Sequence, residues 1–136
     1  MRYLGLDLGT KTLGVAISDK IGIIANALTI IRHNEDFDYL VDELKKIIVE
    51  KEVDEIVLGL PKNMNNTIGE RGEMILKFKE MLESNFSLPI HLEDERLTTR
   101  VAENILISAD VSRKKRKQVI DKMAATVILQ SYLDRK

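Results

Sequence analysis

The sequence predicts an α/β protein: a mixed five-stranded sheet, three antiparallel strands and then parallel ones, with helices on both faces. Three observations carry this. The chain opens with two short apolar runs, "RYLGLDLG" and "LGVAISD", joined by a tight turn at Thr10 to Thr12. A stretch with apolar residues at helical spacing follows, and then the short, nearly all-apolar run "EIVLGLP", as expected of a strand covered on both faces. The predicted order, β-β-β-α-β-α-β-α-α, is a three-stranded meander feeding two helix-then-strand units.

The opening runs form a hairpin. After a turn at Gly22, "IIANALTII" is rich in β-branched residues and predicts a third strand antiparallel to the second. Asn34 is the expected N-cap of the first helix, in which Phe37, Leu40, Val41, Leu44, Ile47 and Ile48 share a face. The polar stretch "KNMNNTIGERGE" leads into a second helix ending near Ser84, with Thr67 and Glu70 as a capping box and Gly69 and Gly72 weakening its first turn. "LPIHLEDERLTT" contains the fifth strand, followed by a helix from about Arg100 to Ser108. The last helix starts after Ser112, its expected cap.

Composition narrows the function. A chain of 136 residues fits one domain, expected to span 1–136, with room for a core. At 44% hydrophobic and 32% charged residues it reads as globular, and no apolar run approaches the roughly 20 residues of a membrane span. Cysteine is absent, which excludes disulfides, thiolate metal sites and a cysteine nucleophile and fits a cytoplasmic location. With no Trp and 4% aromatic residues, a base-stacking platform is not expected.

Carboxylates sit at three places where apolar residues belong. Asp7 interrupts the first strand, where an uncompensated charge costs several kcal/mol; the plain alternative is a cap on the Gly9–Thr10 turn. Glu93, Asp94 and Glu95 end the fifth strand, where ligand sites of such sheets lie. Alternation sends Glu93 and Glu95 to one face and Asp94 to the other, without saying which face is which. Asp121 shares a helix face with Ala125, Ile128 and Tyr132, too far from the helix start to serve the dipole. Oxygen ligands without Cys or His suit Mg²⁺ or Mn²⁺, and two such ions can drive in-line displacement at phosphorus. His33 and His91 show no ligand spacing and read as structural.

Net charge is only −1, yet Arg113, Lys114, Lys115, Arg116 and Lys117 are consecutive. Cations in the first turns of a helix oppose its dipole, and phosphate binding is a use that would offset the cost; the plain alternative is a solvated charge run. Lys62, Arg71, Arg96 and Arg100 can add phosphate contacts along the same edge.

Four segments, "GLDLGTKTLGVAISD", "VLGLPKNMNNTIGERGE", "DERLTT" and "IDKMAATVILQSYLD", resemble in this order the motifs of the YqgF (RuvX-like) family, whose small bacterial members are described as Holliday-junction resolvases and pre-16S rRNA nucleases. The resemblance spans essentially the whole chain. It implies an RNase H-like fold, with Asp7, Glu95 and Asp121 as catalytic metal carboxylates and Asp94 as a substitute for Glu95. Many nucleases of that fold also carry an acid on the fourth strand; "VLGLP" has none, so three acids are expected here.

The implied function is hydrolysis of phosphodiester bonds in structured RNA, at the 5′ end of pre-16S rRNA, with two Mg²⁺ or Mn²⁺ ions once substrate is bound. The alternative substrate is a four-way DNA junction, whose symmetry calls for a dimer. Structured RNA or branched DNA, and ribosomal particles, are the expected partners, with no membrane; the chain is expected to be a monomer or weak homodimer. "DLGT" also resembles the phosphate loop of actin-like ATPases, but those close nucleotide between two domains. A nucleic-acid-binding module without catalysis is the remaining alternative, for which the acids would serve as hydrogen-bond acceptors.

Overall fold

The computed structural model describes residues 1–61, 69–95 and 112–136, with the backbone alone over 113–122. Its elements are β1 (Tyr3–Leu8), β2 (Thr12–Ser18), β3 (Ala25–Arg32), α1 (Phe37–Lys51), β4 (Glu55–Leu60), α2 (Glu70–Asn85), β5 (Ile90–Asp94) and α3 (Arg113–Arg135). The helix expected near residues 100–108 lies outside the described residues.

One five-stranded sheet has the order β3-β2-β1-β4-β5. β1 pairs antiparallel with β2 and β2 with β3, whereas β4 runs parallel to both β1 and β5. The hairpin turn is closed by the Gly9 N–H, which donates to the Thr12 carbonyl at 2.8 Å. At the next turn the Asp19 carboxylate accepts from the Ile23 and Ile24 amides at 2.7 and 3.0 Å, which holds its carboxyl below the usual range.

Strand alternation divides the core in two. Leu4, Leu6 and Leu8 of β1, with Ile56 and Leu58 of β4, pack against Leu40 and Leu44 of α1 and Ile75, Phe78 and Leu82 of α2. On the opposite face Tyr3, Ala16 and Val57 meet Ala125, Ile128, Leu129 and Leu133 of α3. α3 crosses β1 at Gly5, where a Cβ would stand 2.7 Å from the Leu129 Cβ and 3.0 Å from the Ala125 carbonyl. Any side chain there would push the helix off the sheet. Among the described residues no helix is long and apolar enough to cross a membrane.

Two caps differ from those the sequence predicts. The N-cap of α1 is Asp36, whose side chain accepts from the Tyr39 amide, and not Asn34. Asn34 and Glu35 take left-handed conformations, φ 47° and 67°, in the turn that precedes it. That turn is tied down by buried His33: Nδ1 accepts from the Glu35 amide at 2.9 Å, so the proton sits on Nε2, which donates to the Gly9 carbonyl at 2.9 Å. Helix α2 starts at Glu70 with Gly69 as N-cap and no side-chain cap, in place of a capping box begun by Thr67, which lies outside the described residues.

Candidate active site

Asp7 points to the α3 face of the sheet, because its alternation partners Leu6 and Leu8 are in the other core layer. It is opposite Gly14 of β2. On the other side, Leu6 pairs with Leu58, so Gly59 follows on β4 as Asp7 does on β1. Gly59 in turn pairs with Glu93 of β5. The row across the sheet at Asp7 is thus flanked on both sides by glycine.

Glu95, the residue after β5, uses the space this leaves. A Cβ on Gly59 would lie 2.8 Å from Glu95 Oε1 and 2.6 Å from Ile128 Cδ1. The Glu95 carboxyl therefore rests over Gly59, between β4 and α3, and shares a hydrogen bond with Asp7. Burial, first, and then that hydrogen bond and the Asp7 charge push its pKa up to about 8, with Arg71 acting in the opposite direction. In the metal-free protein Glu95 is thus held in its protonated form beside Asp7.

The orientation also separates Glu95 from Asp94. Asp94 pairs with Leu60, a member of the α1–α2 core layer, so it lies on the face away from α3. Its charge still raises the Glu95 pKa, as the smallest of the contributions. Asp121 stands one turn before Ala125 in α3, and Ala125 packs where a Cβ on Gly14 would come within 3.5 Å of its own Cβ. The backbone thus carries Asp121 beyond Ala125 on the helix that covers Asp7; its side chain lies outside the described residues.

Arg71, in the first turn of α2, reaches the end of β1. Its Nη2 donates to the Leu8 carbonyl at 3.3 Å and lies 3.7 Å from Asp7 Oδ1, with half of the side chain exposed. Of the other expected phosphate contacts, Lys62, Arg96 and Arg100 lie outside the described residues, as do the side chains of Arg113 to Lys117 on α3. Among the described residues no three metal-ligating side chains come together. The oxygen donors that do meet are Asp7 and Glu95, and two hard oxygen donors held together suit a divalent cation that would take the place of the Glu95 proton.

Sequence reasoning missed part of this face. Gly59 carried a readable signal, since glycine inside a strand marks a close approach. Glu93 is buried and paired with Arg135 of α3, 42 residues away, which no local pattern announces. His91 is structural: it stacks on Tyr132 at 5.1 Å between ring centroids and has Nε2 3.5 Å from Glu55 Oε1.

The 3-2-1-4-5 mixed sheet, with acids at the ends of β1 and β5 beneath a crossing helix, defines an RNase H-like protein. The chain belongs to the RuvX Holliday junction resolvase family, whose model matches residues 1–135. A Geobacillus sp. (strain WCH70) protein named "Putative pre-16S rRNA nuclease" is 62% identical, covering 100% of this chain and 99% of its own length. A Bacillus subtilis (strain 168) protein of the same name is 57% identical over 98% of each chain. The structure of T. thermophilus RuvC in complex with a Holliday junction substrate superposes with a TM-score of 0.65 at 10% identity, covering 96% of this chain and 91% of that one, a likeness in fold.

Proposed function

We propose that the protein is a metal-dependent nuclease that hydrolyses phosphodiester bonds in structured nucleic acid, and that its biological reaction is 5′-end processing of pre-16S rRNA in the cytoplasm, on ribosomal precursor particles. The observation that carries this reading is the Asp7–Glu95 pair, two partly buried carboxyls that come together only because one of them keeps its proton. A structural role would be served better by apolar residues at both positions. The names of the relatives supply the RNA substrate.

In this reading Asp7, Glu95 and Asp121 hold Mg²⁺ or Mn²⁺, with Asp94 outside the set. The ions supply an activated water and charge stabilisation at phosphorus. The chain does the rest. Glu95 carries a proton at neutral pH in the metal-free protein and would have to give it up to hold a cation. Arg113 to Lys117, with Lys62, Arg96 and Arg100, hold the phosphate backbone. One domain carries the whole site, as a monomer or weak homodimer.

The family description favours a second reading, cleavage of four-way DNA junctions. One experiment separates the two. Wild type and Asp7→Asn are each offered a pre-16S rRNA fragment and a four-way DNA junction with Mg²⁺ or Mn²⁺. The expected outcome is metal-dependent cutting of the RNA that Asp7→Asn abolishes. Cutting of the junction alone would move the assignment to the second reading. Equal cutting by Asp7→Asn would remove the carboxylates from the chemistry altogether.

A further inference from the structure

We infer that Arg71 is both the internal counter-ion of the metal-free site and, once the metal has taken Asp7, the guanidinium that clamps the scissile phosphate. This rests on the nuclease reading above and assigns a role within it.

The position of Arg71 is not explained by the helix that carries it. It lies in the first turn of α2, where a cation opposes the helix dipole, between two acids that suit that turn, Glu70 and Glu73. The side chain instead spans to the end of β1, anchored on the Leu8 carbonyl at 3.3 Å. That anchor sets the guanidinium 3.7 Å from Asp7 Oδ1. One cation thus faces the Asp7 side of the pair.

The same Nη2 atom makes both contacts, and half of the side chain is open to solvent. A guanidinium has five N–H donors in a planar fork that matches two phosphate oxygens. At 3.7 Å the Asp7 contact is an ion pair rather than a hydrogen bond, so a divalent ion displaces it readily. The Leu8 anchor is independent of that exchange and keeps the guanidinium at the site, beside the carboxylates, with its fork available to an incoming phosphate.

The test combines Mn²⁺ titration calorimetry, without nucleic acid, with steady-state cleavage of whichever substrate the wild type cuts. Arg71→Ala removes the competing cation and is expected to tighten Mn²⁺ binding about three-fold or more, while lowering kcat at least about ten-fold and changing KM less than about three-fold. Arg71→Lys keeps the charge and loses the fork; Mn²⁺ affinity close to wild type with kcat still reduced is expected. Weaker Mn²⁺ binding in Arg71→Ala would show that the residue holds Asp7 in place, and would overturn the counter-ion role. An unchanged kcat, or a change confined to KM, in a variant that melts like wild type would overturn the clamp. Wild-type cleavage that is lost in Asp7→Asn but kept in Arg71→Ala leaves the nuclease reading standing and removes this one.

Discussion

Glu95 is the residue whose chemistry is most open to measurement. Its folded pKa of about 8 is above the ordinary glutamate value of 4.5, so the sign is that of a buried acid stabilised as its protonated form. The stability it contributes is complete below about pH 4.5 and is lost as pH rises to about 8. Metal-free protein is therefore expected to show a falling melting temperature between about pH 5 and about pH 8.5, a slope that Glu95→Gln flattens. Mn²⁺ should restore the wild type at the alkaline end and do little for the variant, a comparison that thermal melts at each pH would decide. The choice between Asp94 and Glu95 was invisible in the sequence for a simple reason. Alternation assigns the two to opposite faces, and only the position of Leu60 opposite Asp94 says which face is toward α3.

At the scale of elements, the glycines of the α3 face separate architecture from chemistry. At Gly5 an added Cβ meets the Leu129 Cβ and the backbone carbonyl of Ala125, neither of which can turn aside. At Gly59 it meets the ends of two side chains, Ile128 and Glu95. Gly5→Ala is expected to cost more stability than Gly59→Ala, with overpacking typically worth about 1–3 kcal/mol. Gly59→Ala should instead weaken Mn²⁺ binding and cleavage by displacing the Glu95 carboxyl, with denaturant unfolding and calorimetry as the two readouts. The elements themselves were largely legible. The hairpin, the α1 face from Phe37 to Ile48 and the apolar β4 follow from periodicity alone. The caps were not, because Asn34 and Asp36 are both good cap residues and only the left-handed turn at Asn34 and Glu35 selects the second. The missing acid of β4 was readable as an absence. That Gly59 makes room for an acid from beyond the next strand was not, since a whole helix and strand separate the two positions in the chain.

For the whole molecule, the uneven charge predicts how nucleic acid binds. The net charge of −1 gives no general attraction, so on the nuclease reading binding is expected to depend on local cations such as the run from Arg113 to Lys117. Neutralising that run is expected to weaken binding to many sequences alike. The salt slope should fall by about one for each phosphate that is no longer neutralised, as read from titrations at several salt concentrations. The substrate preference of Asp7-dependent cleavage should not change. On the nuclease reading the carboxylates come from β1, from just after β5 and from α3, so segments from the two ends of the chain must be assembled to complete the site.

That arrangement matters to the cell that makes the protein. Helix α3, which covers Gly5 and supplies the wall over Glu95, follows all five strands of the described sheet and is therefore the last part of the site to be synthesised. A growing polypeptide has its sheet before it has its cleft. On the nuclease reading, a chain that has not yet reached α3 has both Asp7 and Glu95 but no Asp121 to complete the set.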